Sequence, residues 1–177
     1  MRILRYLFAV IAVLGIGFFL VGVLVPRFSY VNEVNINASP AEVWAVFTDQ
    51  SRTGEWMAGF RAIDNIRGNA LEAGSQWRLR LVQNGEEFEV LETVTQVTPE
   101  KTYAFTLDAD VMVASIEVEL VPAGQSTQFV ATSLVEGKTA AWKSLLWMAK
   151  DNMQQQGQAN YLALKALVED GQGLTSQ

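Results

Sequence analysis

The sequence predicts an α+β chain: an apolar N-terminal helix, then a curved antiparallel sheet of about seven strands around a long C-terminal helix, with two short helices after the first strand. Three observations carry this. Tyr6 to Val25 is a run of twenty residues without a charge. From Phe60 to Val135, apolar and polar residues alternate in short segments bounded by turn signals, the period of half-buried strands. From about Thr139 to Asp170 there is no proline, and apolar residues recur at helical spacing.

The first element, residues 1–28, is expected to be a single-pass membrane anchor. A helix of that apolar length reaches about 30 Å, the thickness of a bilayer's hydrocarbon core. The run is longer than the apolar core of a signal peptide, and Val23-Leu24-Val25-Pro26 offers no small-x-small cleavage site. Arg2 and Arg5 precede it and Arg27 follows, so the positive-inside rule predicts a cytoplasmic N-terminus and an exported domain, periplasmic in a bacterium.

Residues 29–170 then read as one domain, and 171–177 as a disordered tail. Ser29 to Asn37 has strand character. Ser39-Pro40-Ala41-Glu42 is a helix start: Ser39 caps, Pro40 suits the first turn and Glu42 completes a capping box. Val43, Trp44 and Phe47 give that helix an apolar face, and a second short helix is expected over Ser51 to Trp56. Trp77, Leu79 and Leu81 alternate with Arg78 and Arg80, and Asn84-Gly85 is a hairpin turn. The next strands follow: Phe88 and Val90; Tyr103, Phe105 and Leu107; Met112 to Leu120; and Phe129 to Val135. In the final helix Trp142, Leu145, Leu146, Ala149, Met153, Leu164 and Leu167 form the stripe, and Gly157 marks a weak point or a close approach.

Charge and composition exclude several functions. The chain has 13 basic and 19 acidic residues; without Arg2, Arg5 and Arg27 the remainder is net −9. Such a domain repels phosphate backbones, so nucleic acid is not an expected partner. Cysteine and histidine are both absent. Disulfides, cysteine nucleophiles and triads that need an imidazole are therefore excluded, and neither a metal site nor a cofactor is expected. Asn37-Ala38-Ser39 has the form of a glycosylation sequon, but Ser39 already serves as the cap.

The segment Val34-Asn35-Ile36-Asn37-Ala38-Ser39-Pro40-Ala41-Glu42-Val43-Trp44 resembles the opening of the START-like or SRPBCC superfamily, which includes polyketide cyclase/dehydrase-like proteins. The likeness continues through Phe47-Thr48-Asp49 to Trp56, and Leu164-Lys165-Ala166-Leu167-Val168-Glu169 resembles the family's closing helix. It covers roughly Tyr30 to Asp170. The resemblance implies a helix-grip fold, a seven-stranded sheet gripping the last helix around a hydrophobic cavity. It also implies hydrophobic or lipid-like ligands, with enzymatic activity in some members only. The missing histidines weaken the enzymatic inference.

Strand parity sends Trp77, Tyr103, Phe105, Met112, Ile116 and Phe129 inward. They are core in a filled interior and pocket wall in a helix-grip cavity. Trp142, Leu146 and Met153 face the sheet from the helix, and Gln156 and Asn160 either continue that stripe into the pocket or are solvated. Trp44 and Trp56 either line a ligand site or, as the commoner case for such aromatics, pack in the core. Glu92 shares the parity of Phe88, Val90 and Val94: either it is a buried carboxylate, or a bulge near Leu91 turns it outward. Asp108 and Asp110 read as solvated turn residues. The expected function is binding of a hydrophobic small molecule or lipid at the membrane, without catalysis and with no assigned catalytic residue. A cyclase, dehydratase or hydrolase using Glu92 or Tyr103 as base is the alternative, and a membrane assembly factor that reads a protein partner is the third.

Overall fold

The computed structural model describes residues 2–175 of the chain. Helix α1 (Arg2–Leu24) leads into strand β1 (Arg27–Ile36), helix α2 (Pro40–Phe47), a 3-10 turn (Gln50–Arg52) and helix α3 (Thr53–Trp56). Six further strands follow: β2 (Phe60–Arg67), β3 (Gln76–Gln83), β4 (Glu86–Thr98), β5 (Thr102–Asp108), β6 (Met112–Ala123) and β7 (Ser126–Gly137). Helices α4 (Ala140–Met148) and α5 (Lys150–Thr175) close the chain. All seven strands among the described residues form one antiparallel sheet in the order β1-β7-β6-β5-β4-β3-β2. Only the β1–β7 pairing joins strands distant in sequence, because β2 to β7 form a meander, with an eight-residue loop after β2 and tight turns thereafter. Asn84 and Gly85 take φ of 54° and 85°, the left-handed pair that a two-residue hairpin needs.

The expected helix start is present in full. The Ser39 hydroxyl accepts from the Glu42 amide, and the Glu42 carboxylate accepts from the Ser39 amide at 2.8 Å. The apolar face of α2 then buries Val43, Trp44 and Phe47 against the sheet. Phe47 meets Phe129 edge-on at 5.3 Å between ring centroids and Tyr103 at 5.8 Å, and Trp56 stacks on Tyr161 of α5 at 6.4 Å. This aromatic cluster joins the short helices, the sheet and the last helix.

Two expectations about the helices are corrected. The long C-terminal helix is present as α5 but starts at Lys150 rather than near Thr139: Ala149, with φ −87° and ψ 0°, separates it from α4. Apolar periodicity runs through the break, so spacing alone does not register it. The second correction concerns the N-terminal segment. It is helical over Arg2–Leu24, but among the described residues no helix is long and apolar enough to cross a membrane. The predicted single-pass membrane localisation, with a cytoplasmic N-terminus and an exported domain, is overturned by that finding. Part of the apolar run instead serves a contact within the protein. Gly22 lies directly against the Ala140 carbonyl of α4, and the Ser144 hydroxyl donates to the carbonyl of Phe18. The remaining face of α1 is exposed, from Ile3 to Leu24. Helix α5 runs on to Thr175, into the segment read as a disordered tail; Ser176 and Gln177 lie outside the described residues.

A polar seam binds α5 to the sheet. Strand β1 is an edge strand, so every second carbonyl lacks a strand partner. Gln154 donates to the carbonyl of Val31 at 2.9 Å, Gln158 to that of Glu33 at 3.0 Å, and Lys165 to that of Asn35. The Glu169 carboxylate accepts from the Asn37 amide at 2.7 Å. The helix thereby covers an edge that would otherwise template foreign strands.

Candidate functional site

The inward faces of the sheet and the near face of α5 do not meet. Between them lies a cavity of about 530 Å³. Its floor is Leu79, Val90, Phe105, Leu107, Ala114 and Ile116 from the strands, and its roof is Met153, Gly157 and Tyr161 from α5. Leu71 and Phe88, both partly exposed, mark its open side beside the β3–β4 hairpin. The gap follows from size. Beneath the roof the sheet offers small residues, Ala114 and Ser133, and the curvature of seven strands holds the helix away from them.

Six of the ten residues expected at the site line this cavity: Glu92, Tyr103, Phe105, Met112, Ile116 and Met153. The other four do not. Trp77 is buried at the far end of β3, and Phe129 is fully enclosed by Phe47 and Tyr161. Leu146 packs partly buried against the core, and Trp142 is 39% exposed on α4. Trp142 and Leu146 are displaced because α4 ends at Met148 and leaves the roof to α5.

Glu92 points inward. It pairs with Trp77 on β3 and Leu107 on β5, in unbroken register on the β3 side. The register shows no bulge near Leu91; the strand's bulge falls between Val94 and Gln96, beyond Glu92, and its effect is to bring Val97 inward opposite Tyr103. The Tyr103 hydroxyl donates to Glu92 Oε1 at 3.2 Å. Burial pushes the Glu92 carboxyl up to about 7, and the Tyr103 bond only partly opposes this. Burial, together with the adjacent carboxyl, raises the Tyr103 phenol well above its ordinary range. Tyr161 is raised by burial and then by Tyr30, and Tyr30 by burial against an opposing bond with Ser133.

Gln156 and Asn160 both belong to the wall. Asn160 Oδ1 accepts from the Ala58 amide at 3.1 Å and from Gln156 Nε2 at 3.2 Å, tying α5 to the loop after α3. Trp56 has its ring in the wall, and its Nε1 has no partner among the described residues. Asp108, read as solvated, is held by Lys138 at 2.6 Å on the surface. Asn32 was not anticipated at all. It sits at an inward position of β1, 2% exposed, and donates to the Gln154 carbonyl at 2.9 Å and to Gln158 Oε1 at 3.0 Å. Its parity with Val34 and Ile36 is visible in the sequence, and a polar residue on an apolar face was the available signal. Gly157 is the close approach that its position suggested: a Cβ there would lie 3.0 Å from Asn32 Oδ1.

Among the described residues no group of three acidic, cysteine or histidine side chains is placed to hold a metal ion. Chemically, the wall offers apolar surface, phenols, the hydroxyls of Thr48, Thr53 and Ser133, amides, the Trp56 indole and one carboxyl.

The family model for polyketide cyclase/dehydrase and lipid transport proteins matches residues 27–169. The chain belongs to this family. No curated protein matches the sequence. Solved structures similar in fold include Ara h 8.0201, at 17% identity and a TM-score of 0.67 over 80% of this chain and 97% of that one. A Thermus thermophilus protein matches at 18% identity and a TM-score of 0.68, over 81% of this chain and 99% of its own. The Zhui aromatase/cyclase of a Streptomyces species matches at 15% identity and a TM-score of 0.67, over 81% and 94%. At these identities the likeness is one of fold, a helix-grip architecture with a seven-stranded sheet and a long C-terminal helix. The matched span begins at Arg27, so α1 lies outside it.

Proposed function

We propose that this protein binds a hydrophobic, lipid-like small molecule between the sheet and α5, and does no chemistry on it. The observation that carries the reading is the cavity itself, about 530 Å³ and walled mostly by aliphatic, methionine and aromatic side chains. Volumes of this order suit small ligands, and a few placed polar groups orient them. Membership of a family described by polyketide cyclisation and lipid transport supports the same ligand class.

The test uses the full chain. Titration with Nile red, a neutral fluorophore, gives saturable emission in the native protein. Leu107→Trp and Ile116→Trp, each pushing an indole into the cavity, abolish it while leaving the circular dichroism unchanged. Saturable emission that both variants retain would place the dye elsewhere and defeat the reading.

The Tyr103–Glu92 pair favours a second reading, acid–base chemistry on a bound ligand. A carboxyl with its proton affinity near neutrality can take or return a proton at a substrate carbon or oxygen. It predicts turnover of a bound ligand that Glu92→Gln removes.

A further inference from the structure

Acidic and basic groups are distributed unevenly around the cavity. Among the described residues its wall contains no Lys or Arg, and Glu92 is its one carboxyl. The groups facing Glu92 are neutral: Trp77 from β3, and Leu107 and Tyr103 from β5. Helix α5 contributes Met153, Gln156, Asn160 and Tyr161 to the wall, and β1 contributes Tyr30 and Asn32, so the other titratable groups are phenols. Tyr103 occupies Oε1, while Oε2 has no hydrogen-bond partner among the described residues. A buried carboxylate with no counter-charge is costly, and an arriving cation would remove that cost. The surroundings agree in sign: Glu86 and Glu87 lie in the hairpin beside the open side, and the chain carries net charge −6.

We infer that the cavity selects an apolar ligand bearing a protonated amine, with the ammonium group held by Glu92 Oε2 and the hydrocarbon lying against Leu107, Ile116 and Met153. This inference rests on the binding reading above and adds the chemistry of the ligand's head. An anionic amphiphile such as a fatty acid meets a carboxyl and no cation, so the wall disfavours it. A neutral alcohol gains one hydrogen bond and no charge pairing. Ammonium binding favours ionised Glu92, so below about pH 7 it must displace the carboxyl's proton and the affinity falls.

Three probes of one chain length distinguish the cases: dodecylamine, dodecanol and dodecanoate, each titrated calorimetrically into the full-length protein below its micellar concentration. At about pH 8, where an alkylamine is still protonated, dodecylamine is expected to bind at least about tenfold tighter than dodecanol, and dodecanoate weakest. At about pH 5.5 the amine loses much of that advantage while dodecanol is unaffected. Glu92→Gln brings dodecylamine down to the affinity that dodecanol shows on the same variant, with thermal unfolding confirming that the variant is folded. Dodecanoate binding as tightly as dodecylamine, or an amine preference that survives in Glu92→Gln, overturns the inference. Equal binding of amine and alcohol to the native protein overturns charge selection alone. Failure of all three to bind overturns the cavity reading as well.

Discussion

A carboxyl withdrawn from water holds its proton more tightly than it does in the unfolded chain, and Glu92 imposes that difference on stability. Its folded value lies near 7 against an ordinary 4.5, so the folded state binds the proton more strongly across that interval. The contribution of Glu92 to stability therefore falls as pH rises from about 4.5 to about 7, by an amount of order 3 kcal/mol, and is constant on either side. Glu92→Gln is expected to flatten this dependence: urea unfolding gives a variant more stable than the parent at alkaline pH and equal to it in acid. A parent protein without the fall would show that Glu92 is solvated. Asn32 is the other residue with a large individual role. It is buried, and both protons of its amide group are hydrogen-bonded to α5. Asn32→Ala leaves the Gln154 carbonyl and Gln158 side chain without that donor, and should cost about 2 kcal/mol by urea unfolding.

At the scale of elements, α5 has two jobs on two faces. Its apolar and amide residues roof the cavity, while Gln154, Gln158 and Lys165 close the free carbonyls of β1. The double variant Gln154→Ala with Gln158→Ala exposes that edge. It is expected to lose about 2 kcal/mol of stability, and to self-associate in sedimentation as the uncovered edge pairs with another copy. Helix α1 depends on α4 in a similar way. A side chain at Gly22 would run into the Ala140 carbonyl and the Ser144 hydroxyl. Gly22→Leu should separate the two helices, read as faster proteolytic removal of α1 with the 27–169 domain left intact. Trp142, Leu145, Trp147 and Met148, on more than one side of α4, are exposed. The apolar spacing of these residues therefore reports neither the core nor the cavity.

For the whole molecule, stability and occupancy are linked. An unfilled cavity forgoes the dispersion contacts that its wall would otherwise make. A neutral ligand present at about 100 times its Kd is expected to raise the unfolding free energy by about 2.7 kcal/mol, seen as a higher Tm. The same ligand should leave the Tm of Ile116→Trp unmoved, because the indole already fills its place.

Much of this architecture was legible from residue order alone, for a physical reason. Alternation, capping and turn chemistry are local: Ser39 with Glu42, Asn84 with Gly85, and the paired faces of Met112 to Leu120 each determine their own backbone within a few residues. For Glu92, parity left two outcomes open, an inward carboxyl or a bulge near Leu91 that turns it outward; the structure decided for inward, since a bulge reverses only the residues beyond it and the one present falls after Val94. Whether an inward residue becomes core or cavity wall is not local. Phe129 and Phe105 have the same parity, yet one is enclosed by Phe47 and Tyr161 and the other opens on empty space, because the distance between sheet and helix differs along the strands. The break at Ala149 decided which helix roofs the cavity, and the packing of Gly22 on α4 gave the apolar N-terminal run a partner inside the protein. The second depends on what a distant segment places opposite. Spacing within one segment therefore determined the elements and their inward faces, and the tertiary structure alone decided where those faces leave room for a ligand.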